Sequence, residues 1–411
     1  MSMNISEIAK NKDLCCGCNA CATICPTQAI QMIEDEVGQF YPRVDEEKCV
    51  GCSQCTKVCC EMNQVPQFMP LKTVAATYKN KDISARSSSG GMFAALAEAV
   101  LNDEGIVYGT RFSDDFKAEV IGIDSMKDLH LLQGSKYVRS SMGIIFFEVK
   151  EQLDSGRRVL FSGVPCQVAA LRQYLHKEYE NLLTIDIVCH GTPSNKMFLD
   201  YLNYVQRKGN KQITEFCFRD KDVGQDTVGK VVYKQNYFGK VVYKQNYLKA
   251  FKSSYYKLFL NCVTFRDNCY SCKFASPERV GDISLCDYWG IDETHPAFIE
   301  TISEEGLCGV SAVMINTDKG VRMMEEIKNQ ILQIDTDYSS VRKFNPQLNY
   351  PSVRTAEHDL VMQLYAKQGY KAVDQYYRNH YRLKIITSTL GQVLPNKTKR
   401  QLLDMKRRLL K

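Results

Sequence analysis

Two cysteine runs near the start of the chain constrain its fold and chemistry more than any other feature. In each run, four cysteines follow the spacing C-x-x-C-x-x-C-x-x-x-C. The first run contains Cys15, Cys18, Cys21 and Cys25, and the second contains Cys49, Cys52, Cys55 and Cys59. Iron in a cubane cluster is bound by thiolate sulfur, and each cluster needs four thiolates. The repeated run therefore predicts two 4Fe-4S clusters.

The spacing also predicts how the ligands are shared. It is the bacterial ferredoxin run, in which the fourth cysteine binds the cluster of the other run. One cluster is then bound by Cys15, Cys18, Cys21 and Cys59, and the other by Cys49, Cys52, Cys55 and Cys25. A disulfide framework needs an oxidising compartment, and zinc prefers two C-x-x-C pairs, so both alternatives fit less well. Cys16 and Cys60 are surplus to this count, and Cys60 stands where the first run has Pro26.

Composition indicates a globular protein in a reducing compartment. The 411 residues are 44% hydrophobic and 24% charged, as in ordinary soluble proteins. No apolar stretch approaches the roughly 18 residues that span a bilayer, and the first residues lack a secretory signal. We therefore expect the 18 cysteines to serve as thiolates and cluster ligands in the cytoplasm. A dispersed net charge of +6 does not indicate nucleic-acid binding.

The pattern along the chain predicts an α/β fold, α+β overall, behind a dicluster ferredoxin domain at residues 1–65. That domain is expected to contain a hairpin that turns near Gly38. Strands alternate with helices over residues 70–150 and 151–310, which favours a mixed, partly parallel sheet. Residues 311–411 are expected to be a helical C-terminal region. Their basic end is predicted to be a terminal helix, with contact to an anionic membrane or a partner as the alternative.

A short tandem repeat lies in the second half of the chain. The sequence GKVVYKQNY stands at residues 229–237 and again at residues 239–247. The unit is too short for a solenoid. Its alternating pattern predicts an exposed β-hairpin without a catalytic role.

Further cysteines follow predicted strands, at the edge where open α/β sheets place their sites. Cys166 and Cys189 each follow a buried strand, and Cys269 and Cys272 form a C-x-x-C pair. These four thiols are candidates for a third 4Fe-4S cluster. Burial as small apolar side chains competes for the first two, and a structural zinc or a dithiol switch competes for the pair. Spacing does not rank three further candidates, Cys262, Cys286 and Cys308.

A serine- and glycine-rich segment precedes a predicted helix that begins at Met92. The segment reads Ser87-Ser88-Ser89-Gly90-Gly91. Glycines let backbone N–H groups approach a ligand, and a helix N-terminus favours an anion, so the segment is a candidate phosphate site. An ordinary helix cap is the alternative. The chain has no G-x-G-x-x-G after the first strand, so a standard Rossmann site is not predicted.

An ordered set of motifs covers residues 70 to 310. The set consists of Ser88-Ser89-Gly90-Gly91, Gly134-Ser135-Lys136-Tyr137-Val138, Gly163-Val164-Pro165-Cys166-Gln167, Cys189-His190-Gly191-Thr192-Pro193-Ser194, Phe218-Arg219-Asp220-Lys221, residues 266–272, Gly281-Asp282 and Asp287-Tyr288-Trp289-Gly290. Together these stretches resemble the coenzyme F-420 hydrogenase/dehydrogenase beta-subunit family, fused behind a dicluster ferredoxin. Two positions depart from the family pattern: Val164 stands in place of a threonine, and Cys286 in place of a glycine.

The resemblance implies a flavin, FAD, in the α/β domain and an iron–sulfur cluster beside it. It implies that the flavin is lined by Ser88, Ser89, Gly90, Gly91 and Lys136. It also implies that the neighbouring cluster is bound by Cys166, Cys189, Cys269 and Cys272, with Cys286 as the alternative for one of them. The family includes reductases of other substrates, so membership does not fix the substrate.

The predicted reaction couples one-electron and two-electron chemistry. The expected path runs from a reduced donor such as ferredoxin, through the clusters, to FAD and then to a small-molecule acceptor. His190 is the expected acid–base group and Lys136 the expected charge-stabilising group; a packed loop histidine and a surface lysine are the plain alternatives. A non-catalytic electron-transfer subunit of a larger complex is the main competing function, and a redox sensor is the second.

Overall fold

The N-terminal part of the chain folds around a small hairpin. The computed structural model describes residues 5–209, 211–221, 228–237 and 240–393. Its first elements are α1 (Ile5–Lys10), α2 (Ala20–Thr23), β1 (Ile30–Glu34), β2 (Phe40–Val44) and α3 (Gln54–Lys57). Strands β1 and β2 pair antiparallel, and Gly38 lies between them with φ of 84°. This is the hairpin that the sequence predicts.

Strands and helices then alternate over the following two hundred residues. In chain order they are β3 (Lys72–Tyr78), α4 (Lys81–Ala85), α5 (Met92–Asn102), β4 (Ile106–Phe112), β5 (Ala118–Ile123), α6 (Leu129–Leu132), α7 (Ile145–Asp154), β6 (Val159–Gly163), α8 (Pro165–Leu175), β7 (Leu182–Ile187), α9 (Asn195–Gly209), β8 (Gln212–Cys217), β9 (Val228–Tyr237), β10 (Lys240–Lys249), α10 (Ser254–Leu260) and β11 (Ile283–Asp287). The last part contains α11 (Ile291–Thr294), α12 (Pro296–Glu304), β12 (Ser311–Ile315), α13 (Asp318–Glu326), β13 (Ile331–Asp335), α14 (Tyr338–Phe344), α15 (Ala356–Gln368), α16 (Tyr370–His380) and α17 (Arg382–Val393).

An eight-stranded mixed sheet forms the core, in the order β13-β3-β12-β11-β7-β6-β4-β5. Its four central strands, β11, β7, β6 and β4, are parallel, and the flanking strands pair antiparallel. Strand β6 is buried along its whole length, as expected for a parallel strand covered on both faces. The predicted mixed α/β fold class is confirmed.

Helices cover both faces of this sheet. Alanine-rich α5 and α13 pack on one face, where they bury Val107, Leu160 and Ile185 of the central strands. Helices α7 and α8 pack on the other face. Helix α8 begins directly after β6 with Pro165 in its first turn, where a missing N–H is tolerated. This arrangement brings the ends of β6 and β7 to one edge of the sheet.

The N-terminal module joins the core on the face that α7 and α8 occupy. Cys16, Val58 and Cys60 belong to the same buried apolar cluster as Phe146 of α7 and Val168 of α8. The first cysteine run and the end of the second run are therefore packed against the sheet domain. The predicted domain boundaries remain a prediction, because packing alone does not define them.

The second half of the chain contributes an aromatic cluster and a small sheet. Helices α9, α10, α15 and α16 surround this cluster, which includes Phe198, Tyr255 and Tyr365. Strands β8, β9 and β10 form a separate three-stranded sheet. In it the two copies of the repeat pair with each other antiparallel, with Tyr233 opposite Lys244, as the hairpin prediction requires.

The C-terminal region differs from the expectation of a helical tail in one respect. Helices predominate from α14 onward, but β12 and β13 both belong to the central sheet. Both strands are short, and helical segments precede and follow them, so a coarse reading of periodicity misses them. The basic end at residues 396–411 lies outside the described residues. Within the described part of the chain, no helix combines the length and apolar character needed to cross a bilayer.

Candidate iron–sulfur and cofactor site

The two cysteine runs fold into loops with the same backbone conformation. Gly17 and Gly51 hold equivalent places, with φ of 65° and 68°. Asn19 and Ser53 are both left-handed, with φ of 73° and 57°, and each precedes a short helix. Glycine adopts positive φ without steric strain, which lets each loop curl tightly around a bound group. The local sequence thus builds both loops in the same way.

The first predicted ligand set lies together and is buried. Its members are Cys15, Cys18, Cys21 and Cys59, each 7–8% exposed. Cys21 interacts electrostatically with the other three, so Cys59 reaches across to the first loop. Burial raises the pKa of Cys21 well above its ordinary value and the pKa of Cys59 to about 12. Thiolate is the form that binds metal, so a bound cation has to offset this desolvation.

The second predicted ligand set lies at the surface. Its members are Cys25, Cys49, Cys52 and Cys55; Cys49 and Cys52 are exposed, and the other two are partly buried. Cys55 interacts electrostatically with Cys25 and Cys49, so Cys25 also crosses to the opposite loop. Although slight burial opposes the shift, hydrogen bonds from Thr27 and from the Ala29 N–H lower the pKa of Cys25.

The third predicted set comes from three separate stretches that meet at the sheet edge. Cys166 is in the first turn of α8, Cys189 follows β7, and Cys269 and Cys272 belong to the loop after α10. Cys272 interacts electrostatically with the other three. Burial raises the pKa of Cys272 well above its ordinary value and the pKa of Cys189 to about 12. The fold therefore brings these four partly buried thiols into one group.

A buried arginine clamps the loop at residues 266–272 to the first cysteine run. Arg266 is 2% exposed. It donates from Nε to the Cys15 carbonyl oxygen at 2.7 Å and from Nη2 to the Phe40 carbonyl oxygen at 3.0 Å. Its guanidinium also lies 4.0 Å from the centre of the Tyr41 ring, within the range of a cation–π contact. The first and third cysteine sets are thus held in one unit.

Two more side chains of the same loop reinforce the clamp. Asn268 donates to the Leu14 carbonyl oxygen at 3.0 Å, and the Ser271 hydroxyl donates to the Asp13 carbonyl oxygen at 2.8 Å. These bonds satisfy the carbonyl groups of the segment that leads into the first run.

A cavity of about 300 Å³ opens beside the third set. This volume is at the lower end of the range for small-molecule sites. Its walls include residues 133–140 and 187–192, together with Arg219 and Trp289. It lies where β6, β7 and β11 end, at the carboxyl edge that open α/β sheets use for ligands. Because Cys189 belongs to both, the cavity and the third cysteine set share a wall.

The cavity wall contains a buried lysine and two polar side chains with an unpaired atom. Lys136 Nζ donates to the carbonyl oxygens of Leu131 and Gln133 at 3.1 Å and 2.7 Å. Burial lowers the pKa of Lys136 to about 7. Arg139 Nη2 and Thr192 Oγ1 are buried without a hydrogen-bond partner among the described residues. Buried polar atoms are normally paired, so these groups fit a polar, anionic ligand in the cavity.

Part of the serine–glycine segment lines the cavity. Ser88, Ser89 and Gly91 line it, whereas Gly90 packs behind the wall. An added Cβ at Gly90 would lie 2.4 Å from a carbonyl oxygen of β3, so no side chain fits there. The Ser88 hydroxyl accepts a hydrogen bond from the Ser135 N–H at 2.7 Å. Helix α5 begins after Gly91, so its N-terminus lies at the cavity wall.

His190 lines the mouth of the cavity, where its side chain is exposed. Desolvation by the cavity walls lowers the pKa of His190, while the Asp287 carboxylate opposes that shift. A lowered pKa leaves the imidazole neutral near pH 7, the form that accepts a proton.

The sequence analysis predicted no functional role for three charged residues that line the cavity. Arg219 pairs with Asp287 and lies 5.7 Å from the centre of the Trp289 ring. Arg139 Nη1 lies 3.4 Å from Cys166 Sγ, which puts a positive charge between the cavity and the third set. Arg219 and Asp287 lie inside family-like motifs, and Arg139 follows one directly, so proximity to the motifs was the available signal.

The remaining candidate cysteines have other surroundings. Cys286 lines the cavity at the end of β11 and packs against the apolar cluster that contains Tyr288 and Ala312. The predicted set is favoured because Cys272 interacts electrostatically with Cys166, Cys189 and Cys269. Cys262 packs at the aromatic cluster, and Cys308 is exposed.

Comparison with known proteins identifies both parts of the chain. Residues 14–61 match the family model of the 4Fe-4S dicluster domain, and residues 156–337 match that of the C terminus of the coenzyme F420 hydrogenase/dehydrogenase beta subunit. An uncharacterized polyferredoxin-like protein of Methanocaldococcus jannaschii is 35% identical over 83 residues, which are 18% of this chain and 49% of that protein. The chain thus spans about half the length of this curated relative.

A solved structure is also similar. It is a chain of the F420-reducing NiFe hydrogenase complex from Methanosarcina barkeri, with a TM-score of 0.39 and 16% identity, covering 76% of this chain and 91% of that chain.

The dicluster match and the cysteine geometry define an iron–sulfur protein of the electron-transfer class. The part that follows is more specific: residues 156–337 match the family model for the C terminus of the coenzyme F420 hydrogenase/dehydrogenase beta subunit. The resemblance drawn from the sequence motifs is confirmed, and it relates the chain to subunits of oxidoreductases.

Proposed function

We propose that the chain is an iron–sulfur flavoprotein oxidoreductase. It takes electrons from a reduced donor such as a ferredoxin, and it delivers them in pairs to a small-molecule acceptor. One observation carries the proposal: three cysteine sets and a cavity form a connected series that begins at an exposed loop and ends at a ligand-sized cavity. The second set is exposed, the first is buried, the third is clamped to the first, and the cavity shares Cys189 with the third.

The ligand assignment follows these three sets. One 4Fe-4S cluster is bound by Cys25, Cys49, Cys52 and Cys55, one by Cys15, Cys18, Cys21 and Cys59, and one by Cys166, Cys189, Cys269 and Cys272. Thiolate ligands and free thiols persist in a reducing compartment such as the cytoplasm. The corresponding units are a dicluster domain at residues 1–65 and a flavin domain at residues 70–310.

The cavity residues fit FAD. Lys136 and the N-terminus of α5 offer positive charge to a phosphate, and the unpaired Arg139 Nη2 and Thr192 Oγ1 offer polar contacts. Aromatic rings of Tyr137 and Trp289 line the same space. When bound there, FAD exchanges single electrons with a cluster and an electron pair with a substrate.

The chain's own residues then have distinct roles. Lys136 neutralises anionic charge in the cavity, and Arg139 sits between the cavity and Cys166, where its charge stabilises the thiolate. His190 at the mouth holds or accepts the proton that accompanies a hydride-equivalent transfer. Arg219 is held by Asp287 and keeps its guanidinium over the Trp289 ring.

A second candidate function is electron transfer within a larger redox complex. The exposed second set favours it, because an exposed cluster site is a natural contact point for a protein partner. The matched family model is also that of a beta subunit. In this role the electron acceptor is another protein of the complex, and the isolated chain does not turn over.

The testing experiment is anaerobic purification with iron, sulfide and flavin measured per chain. We expect about twelve iron and one flavin. The Lys136→Met variant should keep the iron and lose most of the flavin, because the buried cation is absent, whereas Lys136→Arg should retain flavin. Turnover of the purified protein with an artificial electron donor then separates the enzyme from the non-catalytic electron carrier. About eight iron with no flavin contradicts the assignment of both the third cluster and the cavity.

A further inference from the structure

Two cysteines outside the three ligand sets lie against each other in the core. The Sγ atoms of Cys16 and Cys60 are 3.8 Å apart. Cys16 is 3% exposed and Cys60 is fully buried. Each directly follows a predicted ligand of the first set, Cys15 or Cys59. The equivalent places in the opposite loops hold Val50 and Pro26, so the pairing is particular to this side of the domain.

The pair lies between the first and third cluster sites. Cys18 of the first set completes a compact group with the pair, in which all sulfur atoms lie within 4.8 Å of one another. On the other side, Cys60 Sγ is 3.9 Å from the carbonyl oxygen of Cys166, and the Cys166 thiol interacts electrostatically with Cys16. The two surplus thiols therefore touch a ligand of each site.

We propose that Cys16 and Cys60 form a redox-active dithiol that stores two electrons between these cluster sites. This inference rests on the proposed function, because it needs the clusters as electron acceptors. On oxidation, two S–H bonds break and one S–S bond forms. Two electrons pass one at a time to oxidised 4Fe-4S clusters, and two protons are released to solvent. Reduction by two electrons from the donor reverses the step.

The geometry suits this chemistry. A disulfide needs an S–S length of about 2.05 Å, so the sulfur atoms have to close by less than about 2 Å. Burial keeps soluble thiols such as glutathione away from the pair, so exchange with the cell's thiol pool does not set its state. The neighbouring clusters are then its route for electrons. A two-electron store suits a chain that has to convert single electrons into pairs.

The test is a disulfide map of the holoprotein. Anaerobic protein is reduced with dithionite, desalted, oxidised with thionine, and denatured in guanidine with N-ethylmaleimide to block free thiols. Trypsin then places Cys16 in the peptide 13–43 and Cys60 in the peptide 58–72. We expect these two peptides to be linked in the oxidised sample and separate in the reduced one. In a reductive titration the wild type should take up two more electrons per chain than either Cys16→Ala or Cys60→Ala.

Matched variants and metal analysis make the outcome decisive. The linkage should vanish in Cys16→Ala and in Cys60→Ala, with iron per chain unchanged, and persist in Cys308→Ala, whose thiol is exposed and belongs to none of the three sets. Full iron without a linked peptide overturns this proposal and leaves the proposed function intact. A link that persists in Cys60→Ala, or one zinc per chain that is lost in that variant, also overturns it. Protein that binds no iron overturns the proposed function, and this inference with it.

Discussion

The two loops of the dicluster domain share a backbone conformation and differ almost completely in environment. In the first loop, an added Cβ at Gly17 would lie 3.0 Å from Arg266 Nη1; at Gly51 in the second loop it would meet nothing within 4 Å. The preceding position shows the same contrast, with Cys16 3% exposed and Val50 67% exposed. The difference comes from what docks against each loop, because the local geometry is the same.

This contrast makes the two cluster sites of the domain unequal. One cluster site faces the surface, and the other faces the third cysteine set and the cavity. A symmetric pair of loops thus becomes a path with an outer and an inner end. Burial also predicts unequal consequences for equivalent substitutions, and these consequences can be measured.

Ligand substitutions in the two loops should separate iron binding from folding. Cys21→Ala and Cys52→Ala each remove one ligand, so each variant should lose about four iron per chain. Cys21→Ala should also lower the melting temperature strongly, because its site lies in the docked interface and metal binding is coupled to folding there. Cys52→Ala should change the melting temperature little, because its site is exposed. Iron assays and anaerobic calorimetry measure both effects.

Cys308→Ala serves as the control and should keep all the iron, because that thiol is exposed and outside the three sets. Equal losses of melting temperature in the two ligand variants contradict the division into an inner and an outer site.

Removing the clamp should test whether docking creates the contrast. Arg266→Ala leaves the carbonyl groups of Cys15 and Phe40 without their donor. We expect the free energy of unfolding to fall by about 3 kcal/mol or more, since each unsatisfied buried group costs about 1–3 kcal/mol. Arg43→Ala, an exposed arginine on β2, should change it by less than about 0.5 kcal/mol. Chemical denaturation under anaerobic conditions measures both values. A similar loss of unfolding free energy in the two variants would contradict the role of Arg266 in holding the first loop in its buried position.

The smallest expected effect is a pH dependence of FAD affinity, which follows from the burial of Lys136 in the cavity wall. Burial lowers the pKa of Lys136 to about 7, so the unliganded protein loses this charge as the pH rises through 7. If FAD phosphate needs the charged form, FAD affinity should fall about tenfold per pH unit above 7, until the pKa in the complex is reached. Lys136→Arg keeps its charge over this range and should show a flat profile. Fluorescence titration of FAD between pH 6 and 9 measures both curves, and a flat wild-type profile contradicts the role.

Prediction from the sequence was most successful where a chemical requirement, the binding of a cluster, fixes the spacing of the cysteines. The two runs predicted the dicluster domain and the crossing of Cys25 and Cys59, because a cubane needs four thiolates at set separations. Period-two and period-3.6 patterns located the hairpin around Gly38 and most strands of the sheet. Patterns failed for β12 and β13, whose place in the sheet depends on pairing with β3 and β11, and such pairing is not encoded locally.

The cavity was only partly predictable. Motifs pointed to Lys136, Ser88 and His190, but they gave no role to Arg139, whose importance comes from its distance to Cys166. The pairing of Cys16 with Cys60 was likewise invisible, since the two positions are remote in sequence and each looks surplus alone.

By itself, the sequence predicted the dicluster domain, the mixed α/β class and the similarity to the beta-subunit family, and all three are confirmed. These properties depend on spacing and periodicity, which are local. Tertiary structure alone decided which loop is buried, which thiols meet and where a cation faces a ligand cavity. Burial and contact arise from the docking of segments far apart in the chain, so the same loop becomes the inner end of a path on one side and an exposed surface on the other.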